Sequence, residues 1–314
     1  MEKIMIKLKA TIFKGMIPSI EYFEINKDFY NEILTTRDII KRVYNLESSF
    51  DNLIEAYKDF KVAIHRENVN RLTMGGKHDY VFNHESRAKL NRCLNSVLNQ
   101  SKFYLDSHVY KERKKSFLLN VTNESELHEL IVQEYKAEND TKGAYYLGSL
   151  LRNIAQHRSS LVDNLSVGLE GGLPEGAIVA RFTLPLSKQS ILDDPKIKNK
   201  IKNVIRESNF VFDVNVILDG FVHSIAKFHS RNRELSQKAF DSACDYWNSL
   251  SSELRKKYST IASSFEIVEF DEVGTEQRHF NISTDWIQVV PHLRNKNYGL
   301  IEPSRVELSN MPRG

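Results

Sequence analysis

A mainly helical protein, a bundle of five or six helices with small β additions at the N-terminus and in the C-terminal half, is the fold class this sequence predicts. Three observations carry that expectation. The 314 residues include only 13 Gly and 7 Pro, too few for a turn-rich sandwich or for long linkers. Leu, Lys, Glu, Asn and Ser fill long uninterrupted segments, a composition that favours helix. Over most of the chain apolar residues recur at three and four positions, the period of a helix with one buried face.

Taken in order, Met5 to Phe13 alternates apolar and polar residues and Ile20 to Ile25 repeats that pattern more weakly, so both read as short strands. From Thr35 the period changes. Ile39, Ile40, Val43, Tyr44, Leu46, Phe50, Leu53, Ile54, Tyr57 and Phe60 mark a long amphipathic helix, with Thr36 and Asp38 placed as N-cap and first-turn acid. Asn68 to Asn83, with Gly75-Gly76, reads as a loop, and a second helix is expected from His84 to Lys111. After a break at Asn120 to Glu124, a third helix runs from Ser125 to Glu138. A turn at Asn139-Asp140-Thr141 then leads to a fourth, ending near Leu165, with Tyr146, Leu147, Leu150, Leu151, Ile154 and Leu161 on its buried side.

Gly171 to Gly176 (GGLPEG) is the strongest breaker in the chain. Beyond it Ala177 to Leu186 alternates as a strand, Lys188 to Ser208 reads as a polar helix and Asp213 to Tyr258 as a long one. Phe265 to Phe270 and His279 to Ile282 form an expected hairpin joined by Val273-Gly274-Thr275. Residues 1–170 are therefore expected to form a helical bundle with short N-terminal strands, and 171–314 a helical extension with β elements packed on it as one unit.

Composition narrows the function classes. Hydrophobic residues make up 41% and charged residues 27%, ordinary globular values. Cys93 and Cys244 lack CxxC spacing, which argues for two half-buried thiols rather than a disulfide framework or a cysteine zinc site. Lys3, Lys7, Lys9 and Lys14 interrupt any apolar leader, and no run approaches the roughly 18 apolar residues that span a bilayer. The expected location is the cytoplasm, with no membrane partner. A net charge of +3 permits a nucleic-acid substrate without arguing for one. Lys111 to Lys115, Lys196 to Lys202 and Arg255 to Lys257 are basic segments that read as solvated helix ends.

Most polar candidates read as structural. His223 and His229 stand six apart without an acid at ligand spacing, so no metal is expected there. Asp193-Asp194 and Asp213/Asp219 make no nuclease pattern, Thr73 to Lys77 lacks phosphate-loop spacing, and Trp247 and Trp286 read as core or interface anchors. Without a cofactor fingerprint, no cofactor is expected. The chemistry-bearing segment is Arg152-Asn153-Ile154-Ala155-Gln156-His157-Arg158. On a helix Asn153 and His157 share a face, whereas Arg152 and His157 point roughly 140° apart. One copy cannot easily bring both to one phosphate, but two copies related by a two-fold axis can line a shared cleft.

This cluster resembles the Arg-x(4–6)-His motif of the HEPN superfamily, including the polar residue after the arginine, here Asn153. A second, looser match at Arg71 to His78 is rejected, because Gly75 and Gly76 interrupt a helix and Leu72 replaces the polar residue. The motif covers six residues and the compatible helical context about 35 to 170. The resemblance implies an all-helical, commonly dimeric domain and a metal-independent endoribonuclease of toxin or phage-defence type. RNA would be the substrate, the motif helix the homodimer contact, and an antitoxin or defence-system protein a further partner. His157 would take the proton from a ribose 2′-hydroxyl and Arg152 would offset charge on the phosphate. Asn153 would orient one of them, and Gln156 and Arg158 are candidate substrate contacts outside the family motif. Two alternatives stand beside this. One is a non-catalytic HEPN-like dimer that acts as a binding or regulatory module. The other is a structural subunit whose C-terminal β elements dock to a partner.

Overall fold

The computed structural model describes residues 5–14, 17–73, 79–108, 116–140, 143–157, 161–162, 165–170, 179–195, 197, 199–207, 212–258 and 262–298. The chain is mainly α, with small antiparallel sheets, one formed by strands near its two ends and one by strands in the middle of the chain. It divides into two compact units, each assembled from separate stretches of sequence. One comprises Met1–Ser48, Phe117–Glu124 and Glu234–Lys296; the other comprises Ser49–Ser116, Ser125–Arg233 and Asn297–Gly314.

In the first unit, β1 (Met5–Lys14) pairs with β2 (Ile17–Glu24) and with β5 (Ala262–Phe270), and β5 pairs with β6 (Glu276–Asn281), giving the order β2-β1-β5-β6. The period of two in β1 buries Leu8, Ala10 and Ile12 on one face. Across the pairing, Lys9 is matched with Glu266 at 3.0 Å. The β5–β6 turn is closed by Asp271, whose carboxylate accepts from the Val273 and Thr275 amides at 3.0 and 2.8 Å and from Gln277 at 2.8 Å. Gly274 there has φ 85°, a conformation that suits glycine.

The helical layer of this unit begins with α1 (Lys27–Thr73), capped by Asn26, whose side-chain oxygen accepts from the Phe29 amide at 2.7 Å. It is completed by α3 (Phe117–Thr122), the later part of α8 (Val214–Tyr258) and α9 (Val289–Lys296). Trp247 is fully buried, meets Trp286 edge-on at 6.4 Å between ring centres, and donates to Thr36 Oγ1 at 3.0 Å. Arg294 of α9 donates to the fully buried Glu47 at 2.8 Å and to Gln237 at 2.7 Å.

The second unit contains the remainder of α1, α2 (Tyr80–His108), α4 (Ser125–Asp140), α5 (Ala144–His157), the β3–β4 pair (Ser166–Glu170 with Val179–Thr183), α6 (Lys188–Asp193), α7 (Asn199–Glu207) and the first part of α8. Asp213 starts α8. It accepts from the Asn215 and Val216 amides at 2.8 and 3.1 Å and, with its other oxygen, from Leu184 N at 2.6 Å.

Several expected boundaries shift, each for a local reason. α1 begins at Lys27 rather than Thr35, because Asn26 is the cap. Thr36 lies inside the helix and donates back to the Glu32 carbonyl at 2.8 Å. The helix also continues to Thr73, through the start of the expected loop, while Gly75 and Gly76 lie outside the described residues. Asp79, accepting from Phe82 N at 2.8 Å, starts α2 four residues before His84. Pro195 divides the segment expected as one helix into α6 and α7, since proline lacks an N–H and pushes its predecessor out of helical geometry. The short α3, β3 and α9 were not expected. The strand expected from Ala177 is β4, its described part beginning at Val179, and the Gly171–Gly176 loop lies outside the described residues. Among the described residues no helix is long and apolar enough to cross a membrane.

Candidate functional site

The motif helix α5 is built to be held, through its apolar residues and one glycine. Tyr145, Leu147, Leu150, Leu151 and Ile154 are buried; Tyr146, expected inside, is half-buried, and Tyr145 takes the core position instead. Gly148 allows a close crossing with α8: a Cβ there would stand 2.1 Å from the Phe221 ring. Gly220 faces Ala144 in the same way, at 2.3 Å. Tyr145 also meets Phe221 and Phe228, at 5.7 and 5.4 Å between ring centres. The preceding α4 is tied to α8 by polar contacts. Glu138 accepts from Ser224 at 2.8 Å, Glu134 from Arg231 at 3.2 Å, and the Tyr135 hydroxyl from Asn232 at 2.9 Å.

The expectation of a helix to Leu165 fails by Leu161, which lies outside any helix. α5 ends at His157, and the segment after it is gripped by Asn91 of α2. The Asn91 side-chain oxygen accepts from both the Leu161 and Val162 amides at 2.9 Å, and its NH2 donates to the Val162 carbonyl at 3.1 Å. A buried amide thus satisfies three backbone groups of Leu161 and Val162, neither of which is helical.

Of the expected site residues, Asn153 is exposed and Arg152 is half-buried. The Arg152 Nε is shut away from solvent without an acceptor, and among the described residues Arg152 makes no hydrogen bond or ion pair. Gln156 and His157 continue the backbone of α5, but their side chains, and all of Arg158, lie outside what the structure describes. Arg152 and Asn153 are thus placed, while their geometry with His157 is left to the sequence spacing.

The other polar candidates are occupied with folding. His229 is 1% exposed, lies flat on Phe50 at 3.8 Å and shares a 3.0 Å hydrogen bond with the Tyr104 hydroxyl. His223 is half-buried and engaged within the chain. Asp219 accepts from Tyr57 at 2.8 Å and pairs with Lys61 at 2.6 Å, and its charge together with burial pushes the Tyr57 phenol well above its ordinary pKa, burial being the larger cause. Asp193 accepts from Gln189 at 2.8 Å. Cys93 and Cys244 are free and half-buried. Burial raises both thiols, Cys244 to about 11. Among the described residues no three His, Cys, Asp or Glu side chains gather as a metal site.

Neither a family model, nor a curated protein, nor a solved structure matches the chain.

One feature escaped the sequence reading. A cleft of about 610 Å³ lies between the end of α1 and the start of α2, lined by Glu67, Phe82, His84, Ser86, Lys89 and Arg92 among others. Its signal was present: Glu67 follows Phe60 and Ala63 in the core phase of α1, where a charged residue is out of place.

Proposed function

We propose that the chain is a metal-independent endoribonuclease of HEPN type, acting in the cytoplasm from a site built on α5. The observation that carries this reading is Arg152: a half-buried guanidinium with no partner among the described residues, one position before an exposed Asn153 and five before His157 on the same helix. Arginine that serves only the fold is normally paired when its head is enclosed. An unpaired one suits a phosphate supplied from outside.

In this reading His157 takes the proton of a ribose 2′-hydroxyl. The 2′-oxygen then attacks the adjacent phosphorus, the bond to the 5′-oxygen breaks, and that oxygen takes a proton from a His157 imidazolium of the dimer. The products are a 2′,3′-cyclic phosphate and a 5′-hydroxyl. Arg152 offsets the charge that grows on the non-bridging oxygens, and Asn153 orients imidazole or phosphate. Gln156 and Arg158 contact the strand. Since positions 152 and 157 diverge by roughly 140° on one helix, the active form is a homodimer through α5, and an antitoxin or defence-system protein is the regulating partner.

The test is incubation of the purified chain with mixed cellular RNA in excess EDTA, beside His157→Ala. Cleavage by the wild type alone, leaving cyclic phosphate ends, is the expected result. Cleavage that persists in the variant, or that requires a divalent ion, overturns the reading.

A further inference from the structure

Glu67 is a carboxylate kept only 4% exposed at the wall of the α1–α2 cleft. One of its oxygens accepts from the Ser86 hydroxyl at 2.6 Å and the other from the Lys89 ammonium at 3.3 Å. An ionised carboxylate offers about four acceptor sites, so the two protein donors, with the Arg71 charge nearby, leave acceptor capacity on a buried group that gains from further N–H donors. Phe82 adds an aromatic ring to the same wall, with the Arg71 guanidinium 5.6 Å from its centre. At the rim Arg92 is exposed and makes no hydrogen bond or ion pair among the described residues, and His84 is exposed beside it.

A fitting ligand therefore carries adjacent N–H donors, a flat ring and an anion. We infer that this cleft binds a guanine nucleotide unit, with the base edge on Glu67, the ring beside Phe82 and the phosphate on Arg92. Among the common bases only guanine presents two neighbouring donors, N1–H and the N2 amino group, to a single carboxylate. Stacking on an aromatic ring and hydrogen bonds to the base edge are how unpaired nucleotides are read. The volume falls within the roughly 300–1,000 Å³ of small-ligand sites. Free nucleotide and guanosine within a single RNA strand present the same chemistry. The site is independent of cleavage by α5.

The experiment is calorimetric titration of the full chain with GMP, IMP, AMP and guanosine, and with uncleavable 2′-O-methyl pentanucleotides with and without one guanine. GMP is expected to bind about tenfold or more tighter than AMP, with IMP weakened by loss of the N2 donor. The Arg92→Ala variant, changed at an exposed position, is expected to weaken GMP about tenfold while leaving guanosine unaffected. Binding of mononucleotides without the guanine-containing strand assigns the cleft to free nucleotide, and binding of the strand without mononucleotides assigns it to RNA. Equal affinity for GMP and AMP, or no binding of any of these probes at millimolar concentration, overturns the inference. His157→Ala should retain all of this binding, which separates failure here from failure of the cleavage reading.

Discussion

His229 and Arg152 are both polar side chains set among apolar helices of the same unit, yet the fold treats them differently. His229 is sealed in, stacked on Phe50 and hydrogen-bonded to Tyr104. Arg152 is only half-enclosed, and its Nε has lost water without gaining an acceptor. The first arrangement returns the cost of burying a polar group within the chain; the second leaves that cost outstanding. What the contrast teaches is where to look for ligand-directed groups: among the polar atoms that the fold has enclosed and not matched.

The comparison breaks most sharply on catalysis. His157→Ala should lower RNA cleavage by about 10² to 10⁴-fold, and Arg152→Ala by about 10²-fold, the latter with thermal unfolding almost unchanged because Arg152 has no partner among the described residues. A gel assay with parallel calorimetry reads both, and a large fall in melting temperature for Arg152→Ala would turn it into a structural residue like His229. His229→Ala should do the reverse. Its stacking and its hydrogen bond to Tyr104 disappear together, at a cost of about 3 kcal/mol in urea unfolding; a loss within experimental error would remove the contrast. At the α5–α8 crossing, Gly148→Ala should cost about 2 kcal/mol through overpacking against Phe221. A neutral result would mean that the crossing relaxes without disturbing the motif helix. The smallest effect is expected in the β5–β6 turn of the other unit, where the Thr275 amide foremost, then Gln277 and the Val273 and Gly274 amides, holds the Asp271 carboxyl below the usual range. Its contribution is fully present above the ordinary carboxylate pKa and is lost as pH falls through the lowered value. Amide exchange in the hairpin between pH 5 and pH 2 should show this loss in the wild type and not in Asp271→Asn.

Long elements with an unbroken apolar stripe were legible in the sequence, as α8 shows: Val214–Tyr258 coincides with the expected helix to within one residue. Ends were less legible wherever a side chain decides them from elsewhere in the chain. Leu161 and Val162 carry helical apolar spacing after His157, and nothing nearby reveals that Asn91, some seventy residues earlier, holds their amides. Thr36 has the composition of a cap but serves Trp247, far along the chain. Pro195 was a local signal that outweighs the lysine-rich periodicity around it. At the candidate site the sequence supplied Arg152, Asn153 and His157 as a set, and the structure adds the exposure of Asn153 and the unmatched Arg152 Nε. The α1–α2 cleft was missed because its chemistry comes from two helices whose pairing no periodicity encodes.

The Asn91 clamp also gives the motif helix a built-in reporter. The Leu161 and Val162 amides both donate to one side-chain oxygen, so their protection from solvent hydrogen responds to that residue. Deuterium uptake at these two positions therefore times how often the Leu161–Val162 segment releases Asn91, before any substrate is present. An Asn91→Asp substitution would set a carboxylate oxygen against the Val162 carbonyl that the NH2 now serves. That variant would then show loosening at this one point, while the stripe of α5 on α8 still holds.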